Sequence, residues 1–194
     1  MKDFLRNYKI YYVLLILSVL SCNIKERDNP LSNKITIKPI GSIFGGHELV
    51  VIPLDPKYKP DTSEINKSLE FLKIEFPKNE INSEVFDSIT CIDNGQNFET
   101  VKCNFCKKEL SQEFWTQQMD LSYNNSHFEN LNFTTNCCAK KTNLNNLIYE
   151  GDFGFASYSI AINNAEPNEE KELMVKEALQ KILKTKVKVF WRNI

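Results

Sequence analysis

The chain has 194 residues, 42% of them apolar and 25% charged, with 24 basic against 25 acidic side chains and only 6 Gly and 7 Pro. That suits one globular domain of ordinary size plus extensions, and it excludes low-complexity and collagen-like classes. Charges of both signs are interspersed, so neither a basic stripe for nucleic acid nor an acidic solvating tail is present, and no nucleic-acid partner is expected.

The first residues read as an address. Lys2, Arg6 and Lys9 form a basic region, and Ile10 to Leu20 (IYYVLLILSVL) is an apolar run of eleven residues. Such a run is too short to cross ~30 Å of hydrocarbon as a helix and has the length of a signal-peptide core. It ends in Val19-Leu20-Ser21-Cys22, which resembles the bacterial lipobox, with Leu20 standing where a smaller residue is usual. The resemblance implies cleavage before Cys22, a diacylglycerol on its thiol and a fatty acid on its amine. The chain would then sit on the bacterial cell membrane or outer membrane, outside the cytoplasm. An uncleaved anchor, or a secretory signal cut elsewhere, is the plainer alternative. Removing residues 1–21 leaves 21 basic and 24 acidic residues, so attachment would rest on acyl chains, at ~0.8 kcal/mol per buried methylene, and not on charge. Residues 22–34 hold the lipidated Cys and a polar tether, and the folded domain is expected over 35–194.

Ile35-Thr36-Ile37 alternates briefly, as an edge strand would. Gly41 to Gly46 (GSIFGG) lacks the Gly-Lys-Ser/Thr ending of a phosphate loop. His47 to Pro53 is an apolar run bounded by Gly and Pro, which predicts a central strand. Asp61 and Glu64 have capping-box spacing, and Ile65, Leu69, Leu72 and Phe76 recur on one helical face until Pro77. Ser88 to Asp93, the Asn94-Gly95 dipeptide and Gln96 to Lys102 read as a hairpin with a type I′ turn. Ser111 can cap a helix with Phe114, Trp115, Met119, Leu121 and Tyr123 toward the core, and Leu131 to Thr135 alternates like a strand. Thr142 to Leu147 suggests one helical turn. Phe153 to Ile162 is a strand, residues 168–184 form the strongest helix, and Lys186 to Arg192 alternates with Val187, Val189 and Trp191 inward. The order is strand–helix–strand, an insertion at about 97–150, then strand–helix–strand. This predicts an α+β domain: a split β-α-β, ferredoxin-like four-stranded antiparallel sheet with two helices on one face, or else an irregular α+β domain whose sheet includes the hairpin.

Five of the six cysteines lie between Cys91 and Cys138. Cys103-Asn104-Phe105-Cys106 has the spacing of a zinc-ribbon knuckle, and Cys103, Cys106, Cys137 and Cys138 are a candidate four-thiolate metal site. The adjacent pair is the difficulty: on a strand, Cys137 and Cys138 point to opposite faces, so both can ligate only if the backbone turns there. If only one does, His127 or Cys91 is a backup ligand. Cys91 reads more simply as a small apolar residue of its strand. Structural disulfides compete with the metal in an exported chain, although acylation of Cys22 leaves an odd number of thiols. A redox-active dithiol is a third reading. It is disfavoured because the Cys-x-x-Cys follows a hairpin and does not open a helix. The aromatics Phe98, Phe105, Phe114, Trp115 and Phe133 are expected to shield the cysteines.

The run Cys103-Asn-Phe-Cys-Lys-Lys-Glu-Leu110, the pair Phe114-Trp115, Cys137-Cys138 and Thr142-Asn-Leu-Asn-Asn-Leu-Ile-Tyr149 resemble a group of uncharacterised bacterial zinc-ribbon-like proteins over about residues 90–165. In that group the knuckle is C-P-x-C-G and the pair is C-C-G; here Asn104, Lys107 and Ala139 replace the Pro and the Gly residues. The resemblance implies a zinc site and carries no activity. No catalytic constellation is legible in the sequence. The functional expectation is therefore a lipid-anchored envelope protein with a structural zinc, acting on an unknown protein partner. The alternative is a thiol-redox or metal-dependent enzyme using the same cysteines.

Overall fold

The computed structural model describes residues 33–37, 46–93 and 100–193. In chain order these form β1 (Asn33–Ile37), β2 (His47–Pro53), α1 (Thr62–Glu75), β3 (Ile81–Ile92), β4 (Thr100–Lys102), α2 (Gln112–Ser126), β5 (Asn132–Thr134) and β6 (Lys141–Asn143). A 3-10 turn at Leu144–Asn146 follows, then β7 (Ile148–Glu150), β8 (Gly154–Asn163), α3 (Glu169–Leu183) and β9 (Val187–Asn193). The fold is mixed α+β, as the sequence predicts. Among the described residues no helix is long and apolar enough to cross a membrane.

The main sheet has five strands in the order β1-β3-β8-β2-β9, with every neighbouring pair antiparallel. β2 is an interior strand paired on both sides, with β8 and β9, in keeping with its continuous apolar run, although the middle strand is β8: every residue from Glu48 to Pro53 is buried. β1 takes the edge beside β3, one strand more than the expected four.

Two of the three helices, α1 and α3, pack on one face of this sheet. Ile65, Leu69 and Leu72 of α1 and Val175, Leu179 and Leu183 of α3 share a core with Leu49, Val51, Ile160, Ile162 and Val187. α1 begins at a capping box: Asp61 Oδ1 accepts from the Glu64 N–H at 2.8 Å, and Glu64 Oε2 accepts from the Asp61 N–H at 3.0 Å. The Tyr58 hydroxyl ties this start to the other helix, lying 3.0 Å from Glu64 Oε2 and 2.6 Å from the Leu183 carbonyl. Trp191, half-buried, donates from Nε1 to Glu172 Oε2 at 3.0 Å.

β3 is twelve residues long, reaching well back of the predicted Ser88. Two features hid its first half. Ser83 occupies a fully buried inward position, where its hydroxyl reaches Tyr158 Oη at 3.0 Å. A bulge then breaks the alternation: Val85 pairs with Tyr158, but Thr90 pairs with Ala156.

Of the predicted hairpin, the turn Asn94-Gly95 and residues 96–99 lie outside the described residues. The described part of the return strand, β4, pairs with β7 and not with β3. β5 and β6 make a second two-stranded unit. The insertion between β3 and β8 thus has its own small ladders. It packs against β8 through a run of rings: Phe128 on Phe155 at 5.0 Å, Phe153 on Phe155 at 5.3 Å and Trp115 on Phe153 at 5.9 Å. Leu121, expected inward, is 48% exposed, because the inward row of α2 is Trp115, Met119 and Ser122. Asn145 serves as a substitute strand partner for β8. Its Oδ1 accepts from the Phe155 N–H at 2.9 Å, and its Nδ2 donates to the Phe155 carbonyl at 3.4 Å. At the preceding Gly154 a Cβ would stand 2.5 Å from Ile52 Cδ1, so a side chain there would require the Ile52 side chain to shift.

Candidate metal centre

The first knuckle follows β4. The Cys103 N–H donates to the Lys108 carbonyl at 2.9 Å, and the Lys107 N–H returns to the Cys103 carbonyl at 3.0 Å. Lys107 closes the turn at φ 61, a left-handed conformation that favours Gly. Inside the turn, the Phe105 N–H points at Cys103 Sγ at 3.4 Å.

The second knuckle follows β5. Here the Thr135 N–H donates to the Lys140 carbonyl at 3.0 Å, the Ala139 N–H donates to the Thr135 carbonyl at 3.0 Å, and Ala139 has φ 54. Cys137 and Cys138 therefore sit on a turn and not on a strand, which lets neighbouring side chains converge. Thr135 Oγ1 lies 3.2 Å from Cys138 Sγ. The two knuckles also touch outside the cluster, where the Thr142 hydroxyl donates to Asn104 Oδ1 at 3.0 Å.

Together the knuckles bring the Sγ atoms of Cys103, Cys106, Cys137 and Cys138 within 4.8 Å of one another. Cys106 and Cys137 are 3.3 Å apart, and Cys103 and Cys138 are 3.7 Å apart. A zinc tetrathiolate with bonds of ~2.3 Å has sulfur–sulfur edges of ~3.8 Å, so the spacing suits a tetrahedral ion. A disulfide needs ~2.0 Å, and all four are free thiols. This four-cysteine group can hold a metal ion.

Cys103 is fully buried, whereas Cys106, Cys137 and Cys138 are half-buried. Burial raises the Cys103 thiol, but the N–H groups of Cys106 and Phe105 and the thiols of Cys106 and Cys137 outweigh it and bring it from 9.0 down to about 6. Cys137 moves the other way, to about 12, through burial and then its hydrogen bonds with Cys106 and Cys103. The neighbouring N–H groups and thiols thus favour the charged form at Cys103 and disfavour it at Cys137.

The expected aromatic shield is only partial. Phe105 is 44% exposed, with Lys140 Nζ 5.0 Å from its ring centre, and Phe114 and Phe133 pair with each other at 6.1 Å. Trp115 belongs to the ring cluster under β8, and Phe98 lies outside the described residues. His127, the backup ligand, is not brought to the cluster: it caps the end of α2 at φ 47 and packs edge-on against Tyr123 at 5.3 Å. Cys91 also stands apart. It is half-buried on β3 and disulfide-bonded, not the buried free thiol expected from its strand position. Cys22 lies outside the described residues. Besides the cluster, a cleft of about 200 Å³ runs between the β2–α1 connection and the insertion, lined by Leu54, Lys57, Glu129, Asn132, Asn143 and Asn146 among others.

No family model matches this chain, and neither a curated protein nor a solved structure matches it.

Proposed function

We propose that the chain is a lipid-anchored protein of the bacterial cell envelope whose Cys103, Cys106, Cys137 and Cys138 hold a structural zinc ion, and that it acts through contacts with a protein partner. The observation that carries the metal reading is the convergence of four free sulfurs from two hairpin turns. Four protein ligands fill a tetrahedron and leave no position for substrate, which favours a structural over a catalytic ion. The all-sulfur donor set suits zinc among the common divalent ions, in a chain with no other such cluster among its described residues. The anchor reading rests on the basic region, the apolar run and Ser21-Cys22. A ferredoxin-like core is the finer reading of the fold. It is supported by the strand order β3-β8-β2-β9 and by two helices on one face.

Metal analysis of the purified full chain in detergent, with thiol counting before and after chelation, tests the site. One zinc per chain and four thiols protected until chelation is the expected result; no metal and four freely reactive thiols would refute it. Metabolic labelling with a fatty-acid analogue tests the anchor, with Cys22→Ala expected to lose the label. Acylation would consume the Cys22 thiol, and since the four cluster cysteines are free, the acylated molecule would carry Cys91 as a reduced thiol; a Cys91 that stays disulfide-bonded in the purified chain would count against the anchor. The exposed edge of the cluster and the lowered Cys103 thiol favour thiol–disulfide chemistry as the second reading. Its mark would be cluster cysteines that cycle between thiol and disulfide without metal.

A further inference from the structure

The two knuckles are structural copies displaced by 32 residues. Cys103 N–H to Lys108 O has its counterpart in Thr135 N–H to Lys140 O, and Lys107 N–H to Cys103 O in Ala139 N–H to Thr135 O. The left-handed residues Lys107 and Ala139 obey the same offset, as do the flanking bridges Lys102–Glu109 and Thr134–Lys141. Laid on one another, Cys106 falls on Cys138, Asn104 on Asn136 and Lys108 on Lys140. Besides Lys107 against Ala139, two positions break the match. Thr135 stands where the first knuckle has Cys103, and Cys137 stands where it has Phe105.

Resting on the metal reading above, we infer that Thr135 occupies a vacated ligand position and now positions Cys138, while Cys137 supplies the missing sulfur from two residues further along the same turn. The geometry at Thr135 fits that role. It is 1% exposed, its hydroxyl lies 3.2 Å from Cys138 Sγ, and the Lys140 N–H and carbonyl both lie 3.3 Å from the same oxygen. The one hydroxyl hydrogen of Thr135 can go to the Lys140 carbonyl or to Cys138 Sγ, and against a ligating thiolate it turns to the sulfur. A donor there orients the sulfur and withdraws charge from it, and loss of such a partner typically weakens metal affinity by roughly 10–100-fold. The copy relation also explains how an adjacent Cys-Cys pair can face one ion. In the first knuckle the Cys103 and Cys106 sulfurs reach the cluster from the first and fourth positions of the turn. In the second, the third and fourth positions do so, because Cys137 Sγ approaches Cys106 to 3.3 Å while Cys138 Sγ approaches Cys103.

Cobalt(II) and zinc titrations of the full chain under reducing conditions test the inference, with the tetrahedral cobalt absorption and sulfur-to-cobalt charge-transfer intensity as readouts. The swap Thr135→Cys with Cys137→Phe rebuilds the second knuckle as a copy of the first. It is expected to bind one ion with four-sulfur charge-transfer intensity. Thr135→Val removes only the hydroxyl and is expected to bind zinc roughly 10–100-fold more weakly, with a shifted charge-transfer band, and Thr135→Ser to restore both. A folded swap variant with no metal, or with fewer than four sulfurs on cobalt, overturns the vacated-ligand assignment. A Thr135→Val variant with wild-type affinity and spectrum overturns the positioning role, and decides the matter if the swap does not fold. Wild-type chain that binds no metal refutes the metal reading itself and takes this inference with it.

Discussion

At the scale of single residues, the decisive feature is which sulfurs meet. Cys106 is half-buried, yet its sulfur lies 3.3 Å from that of Cys137. Removing it leaves three sulfurs and an open coordination position. We expect Cys106→Ser or Cys103→Ser to lose most of the bound metal, while His127→Ala and Cys91→Ser retain it; metal content after gel filtration checks this. Loss of metal in Cys91→Ser alone would show the ligand set to be wrong. The four cysteines were legible in the sequence because the Cys-x-x-Cys spacing is a motif with a mechanism. The geometry of the adjacent pair was not. It depends on left-handed Ala139, a residue type that carries no turn signal. Thr135 was invisible for the same reason: its importance lies in its place in a copied turn, and only the backbone reveals the copy.

At the scale of elements, helix starts were the most legible feature, because capping uses short-range chemistry that spacing alone specifies. Asp61, Ser111 and Asn168 all cap as their positions suggest, each accepting from the N–H three residues on. Asp61→Ala is expected to destabilise the fold by ~1 kcal/mol in urea titrations. Glu64 adds a pH dependence. The Asp61 N–H hydrogen bond first, with Tyr58 and Lys184 behind it, holds the Glu64 carboxyl below its ordinary 4.5 against the opposing effect of burial. A depressed folded value means that the stabilisation is present above the unfolded value and is lost as pH falls through the folded one. Stability should therefore drop on acidification below about 4.5, and Glu64→Gln should flatten that part of the profile. Strands were harder. β3 broke the alternation with an inward Ser83 and a bulge, and β4 chose a partner, β7, that no local signal named. Phe190, buried on the sheet's second face, was missed because the alternation of the last strand was read only for Val187, Val189 and Trp191.

At the scale of the molecule, two kinds of cohesion divide the labour. The sheet and its two helices are held by a continuous apolar core, so Leu179→Ala, at a fully buried position, is expected to lose roughly 2–5 kcal/mol of global stability. The insertion has three-residue ladders, an amphipathic helix and one ring cluster. It needs the cross-link between its knuckles more than the sheet does. Chelation should therefore speed amide exchange across about residues 100–150 while β2, β8 and β9 stay protected; uniform loss of protection would contradict that division. The α+β class was readable from element order, since strand–helix–strand units flanking a polar segment leave few ways to bury two helices.

Ile92, the last residue of β3, is the register partner of Gly154, the first of β8. Everything from 93 to 153 leaves and returns through one rung of one ladder, across the ~4.5–5.5 Å that separates paired residues in antiparallel strands. To the sheet, that whole segment is equivalent to a two-residue turn. Deleting that segment would leave the strand order of the sheet as it is, at the cost of uncovering Phe155 and of the Asn145 hydrogen bonds to its backbone.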